Sequence, residues 1–352
     1  MKSVKSVVIG CGAIAREHLT ALKEIGDAEV VGICDISEAK AEAAAERFAI
    51  KKWSTDYQRL LQETRPNLVH ITTPPATHFP IARTCLASGL NVLCEKPITA
   101  EYQDFIKLKS LAAENSCMLI ENHNIRFHSS IERIQSLINS GSFGEVLEVQ
   151  IMVHVNLFGS GSPYVDENVP HFGLALRGGV IGDFLTHIAC LTHLFVGSPV
   201  DLRTIWAKRG GKSPLPADEF RGLVKGERAT AYVNFSGNAQ PSGFWVRVVG
   251  TKMQAETNLY EPPRIAFRRF RSQQVAVASL IDGLAEGLDV IKGTTAAFWR
   301  KLAGTNRYDG LPQFLSRVYQ AFVREEAQPI PLDDIDAIAH LVDSFTKPEL
   351  KL

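Results

Sequence analysis

What this chain lacks narrows it first. Across 352 residues no apolar run reaches the ~18 residues that a membrane-spanning helix needs, so no membrane partner is expected. There is no excess of charge of either sign. Lys and Arg number 38, as do Asp and Glu, for a net charge of +0, which leaves no field to draw the chain to nucleic acid or an anionic bilayer. Small molecules are the expected partners. There is no Cys-x-x-Cys pair either. Cys11, Cys34, Cys85, Cys94, Cys117 and Cys190 are scattered, mostly in apolar stretches where a thiol behaves as a small hydrophobe, and this predicts a reducing compartment. Lys2 and Lys5 before an apolar run ending Ala13-Ile14-Ala15 loosely imitate a secretion signal, but two glycines interrupt the run, and a cytoplasmic location is expected. Internal repeats and low-complexity tracts are missing too. What remains is 45% hydrophobic with a mean hydropathy of -0.01, enough for two domains with separate cores.

The apolar pattern predicts strands over 4–9, 29–34, 67–72, 91–94 and 118–121, alternating with helices over 14–25, 38–48, 78–88 and 101–114. That alternation calls for a parallel sheet with right-handed crossovers, an α/β Rossmann domain over residues 1–122. The rhythm then changes to a helix over 130–140, a long strand over 145–158, a buried helix over 180–196 and strands over 200–207, 229–236, 244–251 and 252–259. Grouped strands of this kind predict an α+β domain on a large, mostly antiparallel open sheet, over residues 123–352. One face of such a sheet is free to pair, so a homodimer or homotetramer through it is expected. Segments 159–169 and 209–227 are expected loops, the first able to cover a substrate. Helices are expected at 275–292, 313–325 and 333–345, with the C-terminal one packing back on the first domain.

The first strand runs straight into Gly10-Cys11-Gly12-Ala13-Ile14-Ala15. Here Gly10 permits a tight turn, Gly12 lets backbone approach a pyrophosphate, and Ala15 keeps helix and strand close. The anion would sit at the helix N-terminus, where free N–H groups and the helix dipole favour it. Asp35 closes the second strand, where a carboxylate accepts from ribose hydroxyls and repels a 2′-phosphate. NAD is therefore expected, with NADP kept open by Lys40, and Asp35 has the competing role of capping the helix that begins near Ser37.

Two further segments carry chemistry. Thr72-Thr73-Pro74-Pro75-Ala76-Thr77-His78 and Cys94-Glu95-Lys96-Pro97 each follow a strand of the first sheet, where ligands bind in open α/β folds. An ammonium at Lys96 placed beside a nicotinamide can support charge on a substrate oxygen; the competing reading is a surface lysine paired with Glu95. Gly178-Gly179-Val180-Ile181-Gly182-Asp183 leads to His187, four residues beyond Asp183 and on the same helix face. A carboxylate that orients an imidazole is an acid–base arrangement, although a structural pair or part of a metal site also fits. No metal is expected, because His193 points away from His187 on that helix.

Taken in order and spacing, the glycine turn with Asp35, Glu95-Lys96-Pro97 and Asp183-x-x-x-His187 resemble the Gfo/Idh/MocA oxidoreductase family. Thr73-Pro74 with His78, Arg126-Phe127, Gly141 with Gly144 and Gly178-Gly179 support the resemblance. It implies NAD(P)-dependent hydride transfer at a hydroxyl or carbonyl carbon of a sugar, cyclitol or nucleotide-sugar, in a cleft between the two domains. By that resemblance Lys96 contacts nicotinamide and substrate, Asp183 binds substrate, His187 is the general acid/base, and the Lys96-Pro97 bond is cis. Gly10, Gly12, Ala13, Ile14, Ala15, Asp35, Thr73, Pro74, His78, Glu95 and Lys96 would form the cofactor site. Asn124 and Arg126 would reach the substrate, with Tyr164 and His171 as further candidates. Leu191 stands where many members repeat an Asp, and Cys11 lies inside the phosphate loop. Arg264, Arg268, Arg269 and Arg271 read as a solvated strand edge, with grip on a diphosphate as the competing role. An NAD-dependent glycosidase and a non-catalytic dinucleotide sensor are the rival functions.

Overall fold

The computed structural model describes residues 3–159, 162, 164, 171–210, 215–261, 265–269, 283–284, 287–288, 291–292, 294–295, 299 and 309–347. The chain forms two compact units, Met1–Phe127 with Tyr308–Asp343, and His128–Arg307 with Ser344–Leu352. The division falls just beyond the expected 122/123 boundary. A 3-10 turn at Asn124–Phe127 stays with the first unit, where the Phe127 ring lies 5.2 Å from that of Phe314.

The first unit is built on a six-stranded sheet in the order β3-β2-β1-β4-β5-β6, with every pairing parallel. Its strands are β1 (Val4–Ile9), β2 (Ala28–Cys34), β3 (Trp53–Ser54), β4 (Leu68–Ile71), β5 (Asn91–Cys94) and β6 (Leu119–Glu121). Helices α1 (Ala13–Leu22), α2 (Glu38–Phe48), α3 (Tyr57–Thr64), α4 (His78–Ala87) and α5 (Tyr102–Glu114) provide the crossovers. Both faces of the interior strands β4 and β5 are covered, so Leu68, Val69, Ile71, Val92, Leu93 and Cys94 are wholly buried, and so is His70 within β4. The sequence pattern passed over β3 and α3. A two-residue strand is too short to show a period, and α3 is announced only by Asp56, whose side chain accepts from the N–H groups of Gln58 and Arg59. Helix α8 (Leu311–Arg324) and most of α9 (Leu332–Thr346) also belong to this unit.

The second unit carries α6 (Ser129–Asn139), α7 (Val180–Val196) and a seven-stranded sheet in the order β13-β12-β11-β7-β10-β9-β8. Its strands are β7 (Val146–His154), β8 (Pro199–Ala207), β9 (Glu219–Gly226), β10 (Thr230–Ser236), β11 (Gly243–Gly250), β12 (Met253–Asn258) and β13 (Ala266–Arg269). All pairings are antiparallel except β7 with β10. Residues 219–226 correct the loop expected over 209–227. Phe220 and Val224 face the core while Arg221, Leu223 and Lys225 face out, but Gly222 and Gly226 hide that alternation in the sequence. Gly222 is needed there, since a Cβ would stand 2.6 Å from Val233 Cγ2. Much of the helix expected at 275–292, Val275 included, lies outside the described residues, while Gly283, Leu284, Gly287, Leu288, Ile291 and Lys292 are helical.

Candidate functional site

In the first unit the site residues gather beyond the carboxyl ends of β1, β2, β4 and β5. Gly10 has φ +99°, and a Cβ on it would stand 2.8 Å from the backbone of Thr72 and Thr73, so the β1 turn closes against the β4 turn only with glycine. Gly12 caps α1 and has open space where a Cβ would point, and the first turn of α1 contains no acidic residue. Ala13, Ile14 and Ala15 form that turn, so their N–H groups sit at the positive end of the helix dipole. This cradle fits a diphosphate.

Asp35 is pinned from both sides. Its Oδ2 accepts from Cys11 N at 2.8 Å and its Oδ1 from Ser37 N at 2.9 Å, which serves the loop and the entry to α2 together. Burial and the Asp35 charge push the Cys11 thiol up to about 12, so this cysteine adds no negative charge beside an incoming anion. A cavity of about 440 Å³ opens next to the loop, lined by Cys11, Gly12, Ala13, Arg16, Lys40 and Arg47. Its three cations suit an anionic ligand.

The β4 and β5 turns are stitched together. His78 is fully buried and places its ring nitrogens 2.8 Å from the carbonyl oxygen of Pro97 and 2.7 Å from that of Thr73. Pro74 caps the 3-10 turn Pro75–Thr77 that follows, and Thr77 Oγ1 donates to Thr73 Oγ1 at 2.8 Å. Lys96-Pro97 is cis. Glu95 is buried. Burial alone would raise its carboxyl pKa, but hydrogen bonds from His18 and Asn122 and the charge of Lys96 outweigh that and hold it below its ordinary value. Its Oε2 lies 3.3 Å from the N–H of Lys96. Asn124 is buried, and Arg126 donates from Nη1 to Asp334 Oδ2 at 2.9 Å.

In the second unit α7 carries Asp183 and His187 one turn apart. Nearly the whole helix is buried, and between Val180 and Thr192 only His187 is partly exposed. Gly178 and Gly179 lead in with positive φ, and a Cβ on Gly182 would collide with the Arg177 carbonyl, so the glycines of this segment let the chain turn tightly onto the helix. Tyr164 lies 4.7 Å from His171 and 6.3 Å from Phe184, centroid to centroid, which sets an aromatic cluster at the start of α7. Among the described residues no three metal-ligating side chains converge. Arg268 is exposed on β13, the side chain of Arg269 is not described, and Arg264 and Arg271 lie outside the described residues.

Sequence reasoning missed His18, His70, Asn122 and Tyr319, all buried beneath Glu95. A signal was present for His18, which falls on the buried stripe Ala15, His18, Leu19, Leu22 of α1.

Comparison with known proteins agrees with this geometry. Residues 4–123 match the family model described as the oxidoreductase family with an NAD-binding Rossmann fold, and residues 131–256 match the GFO/IDH/MocA C-terminal domain. The chain is 29% identical over 200 residues to the dTDP-3,4-didehydro-2,6-dideoxy-alpha-D-glucose 3-reductase of Saccharopolyspora spinosa, covering 56% of this chain and 58% of that protein. It is 28% identical over 173 residues to the inositol 2-dehydrogenase of Salmonella typhimurium, covering 48% of each. The chain thus spans about half the length of the curated relatives it matches. The fold is shared with the WlbA dehydrogenase of Bordetella pertussis, solved with NADH and UDP-GlcNAcA, at a TM-score of 0.74 and 16% identity over 98% of this chain and 94% of that one. With both domain models matched in order along one chain, the protein belongs to the Gfo/Idh/MocA oxidoreductase family.

Proposed function

We propose that this protein is an NAD-dependent oxidoreductase that moves hydride between a nicotinamide and a hydroxyl or carbonyl carbon of a sugar, cyclitol or nucleotide-sugar. The observation that carries the reading is the occurrence in one chain of a diphosphate cradle at Gly10–Ala15, closed by Asp35, and a helix that between Val180 and Thr192 is buried except at the partly exposed His187. When bound, the dinucleotide supplies the hydride acceptor or donor. The chain supplies the rest. His187 exchanges the hydroxyl proton, Asp183 binds substrate on the same helix face, and Lys96 donates to the substrate oxygen and supports its charge. Asp35 favours the free 2′-hydroxyl of NAD, against which Lys40 in the neighbouring cavity keeps NADP binding within reach.

Pairing through the open face of the second sheet belongs to the same reading. Ile205, Leu223 and Tyr232 are exposed there, on adjacent strands β8, β9 and β10. Titration with NADH and with NADPH, followed by fluorescence, tests the cofactor assignment. Wild type should bind NADH more tightly, and Gly10→Ala should weaken binding at least tenfold because that position holds φ +99° against backbone. Equal binding by wild type and Gly10→Ala would remove the cradle from the account.

A further inference from the structure

Beneath Glu95 runs a connected set of buried polar side chains drawn from separate elements of the first unit. His18 on α1 places Nε2 2.8 Å from Glu95 Oε1, and Asn122, just after β6, places Nδ2 2.5 Å from the same oxygen. His18 Nδ1 lies 3.1 Å from Nδ1 of His70 in the middle of β4, and His70 Nε2 lies 3.0 Å from the hydroxyl of Tyr319 on α8. His18, His70 and Tyr319 are fully buried. A carboxylate only accepts, so His18 Nε2 carries the proton it donates to Glu95. Burial and the neighbouring His18 push the His70 pKa well down, so His70 is neutral and one proton serves the contact between the two Nδ1 atoms. Each polar atom of the chain therefore has a partner, which gives the Glu95 carboxylate one orientation. Its other oxygen faces the N–H of Lys96.

We propose that His18 is a positioning residue for Lys96, acting through Glu95, and so links the helix that begins at the diphosphate cradle to the lysine. This rests on the assignment of Lys96 to the substrate oxygen. Without the His18 donor, Glu95 Oε1 is left with Asn122, and the carboxylate that faces the Lys96 N–H is no longer held in one direction.

The test uses the full chain with lysines dimethylated by ¹³C-formaldehyde, the Lys96 resonance being identified by its disappearance in Lys96→Met. In His18→Leu the Lys96 signal should shift and titrate differently, NADH binding should stay within about threefold, and kcat should fall on the order of 10- to 100-fold. His18→Gln, which keeps a donor, should recover part of both the signal and kcat. If His18→Leu proves unfolded, Glu95→Gln and His18→Gln carry the comparison through the same resonance. An unmoved Lys96 signal in folded His18→Leu overturns the inference, as does a loss of kcat matched by an equal loss of NADH binding. Full turnover in Lys96→Met, with the signal still moved by His18→Leu, would instead remove the catalytic role of Lys96 and leave the linkage standing.

Discussion

Lys96 and His187 are held by different means. Next to Lys96, Glu95 is fixed by hydrogen bonds from His18 and Asn122, with His70 and Tyr319 behind them, all inside the first unit. The helix that carries His187 is held by shape, with Ile181, Leu185, Ile188 and Leu191 wholly buried and Gly182 set against the Arg177 carbonyl. Polar networks set angles and local charge, so damage to one should be graded and dependent on pH. Close packing sets position through volume, so a single added carbon there is felt at once.

The sharpest break in this comparison removes the imidazole itself. His187→Ala should lower turnover by about 10²- to 10⁴-fold, the usual range for a general acid–base group, while NADH fluorescence titration stays close to wild type. Retained turnover would detach His187 from the chemistry. Next in size is Gly182→Ala, whose Cβ meets backbone and not a flexible side chain; thermal or urea unfolding should show a loss of about 1–3 kcal/mol. An unchanged midpoint would mean that the turn before α7 yields easily, and packing would not be what holds His187.

The smallest effect is on the network side and appears in pH. The Glu95 pKa lies below its ordinary value of 4.5 in the folded protein, so the carboxylate contributes stability that is complete above the unfolded value and lost as pH falls through the folded one. Wild type should therefore lose stability more steeply than Glu95→Gln as the solution is acidified below about that value. Parallel acid-unfolding curves would show that the network holds no charge.

Much of this was legible in the sequence because it follows from chain geometry. The strand, glycine turn and Asp35 at the next strand's end lie close together along the chain, and α2 and α7 begin and end where apolar spacing places them. The strand β9 was not legible, since its glycines and outward charges mimic a loop. Nor was the network under Glu95. His18, His70, Asn122 and Tyr319 are far apart in the chain and meet only once the parallel sheet and α8 are assembled, and a lone histidine in an apolar run does not reveal its partner. Arg126 shows the same limit, since its partner Asp334 comes from α9.

The central claim is tested most directly by following absorbance at the reduced-nicotinamide band while wild-type protein with NAD meets a panel of sugars, inositols and nucleotide-sugars. A change that depends on one member of the panel, and that is lost in His187→Ala, is the predicted result. Dinucleotide binding with no redox change for any of them, or release of a free sugar without net cofactor reduction, would contradict the proposed function.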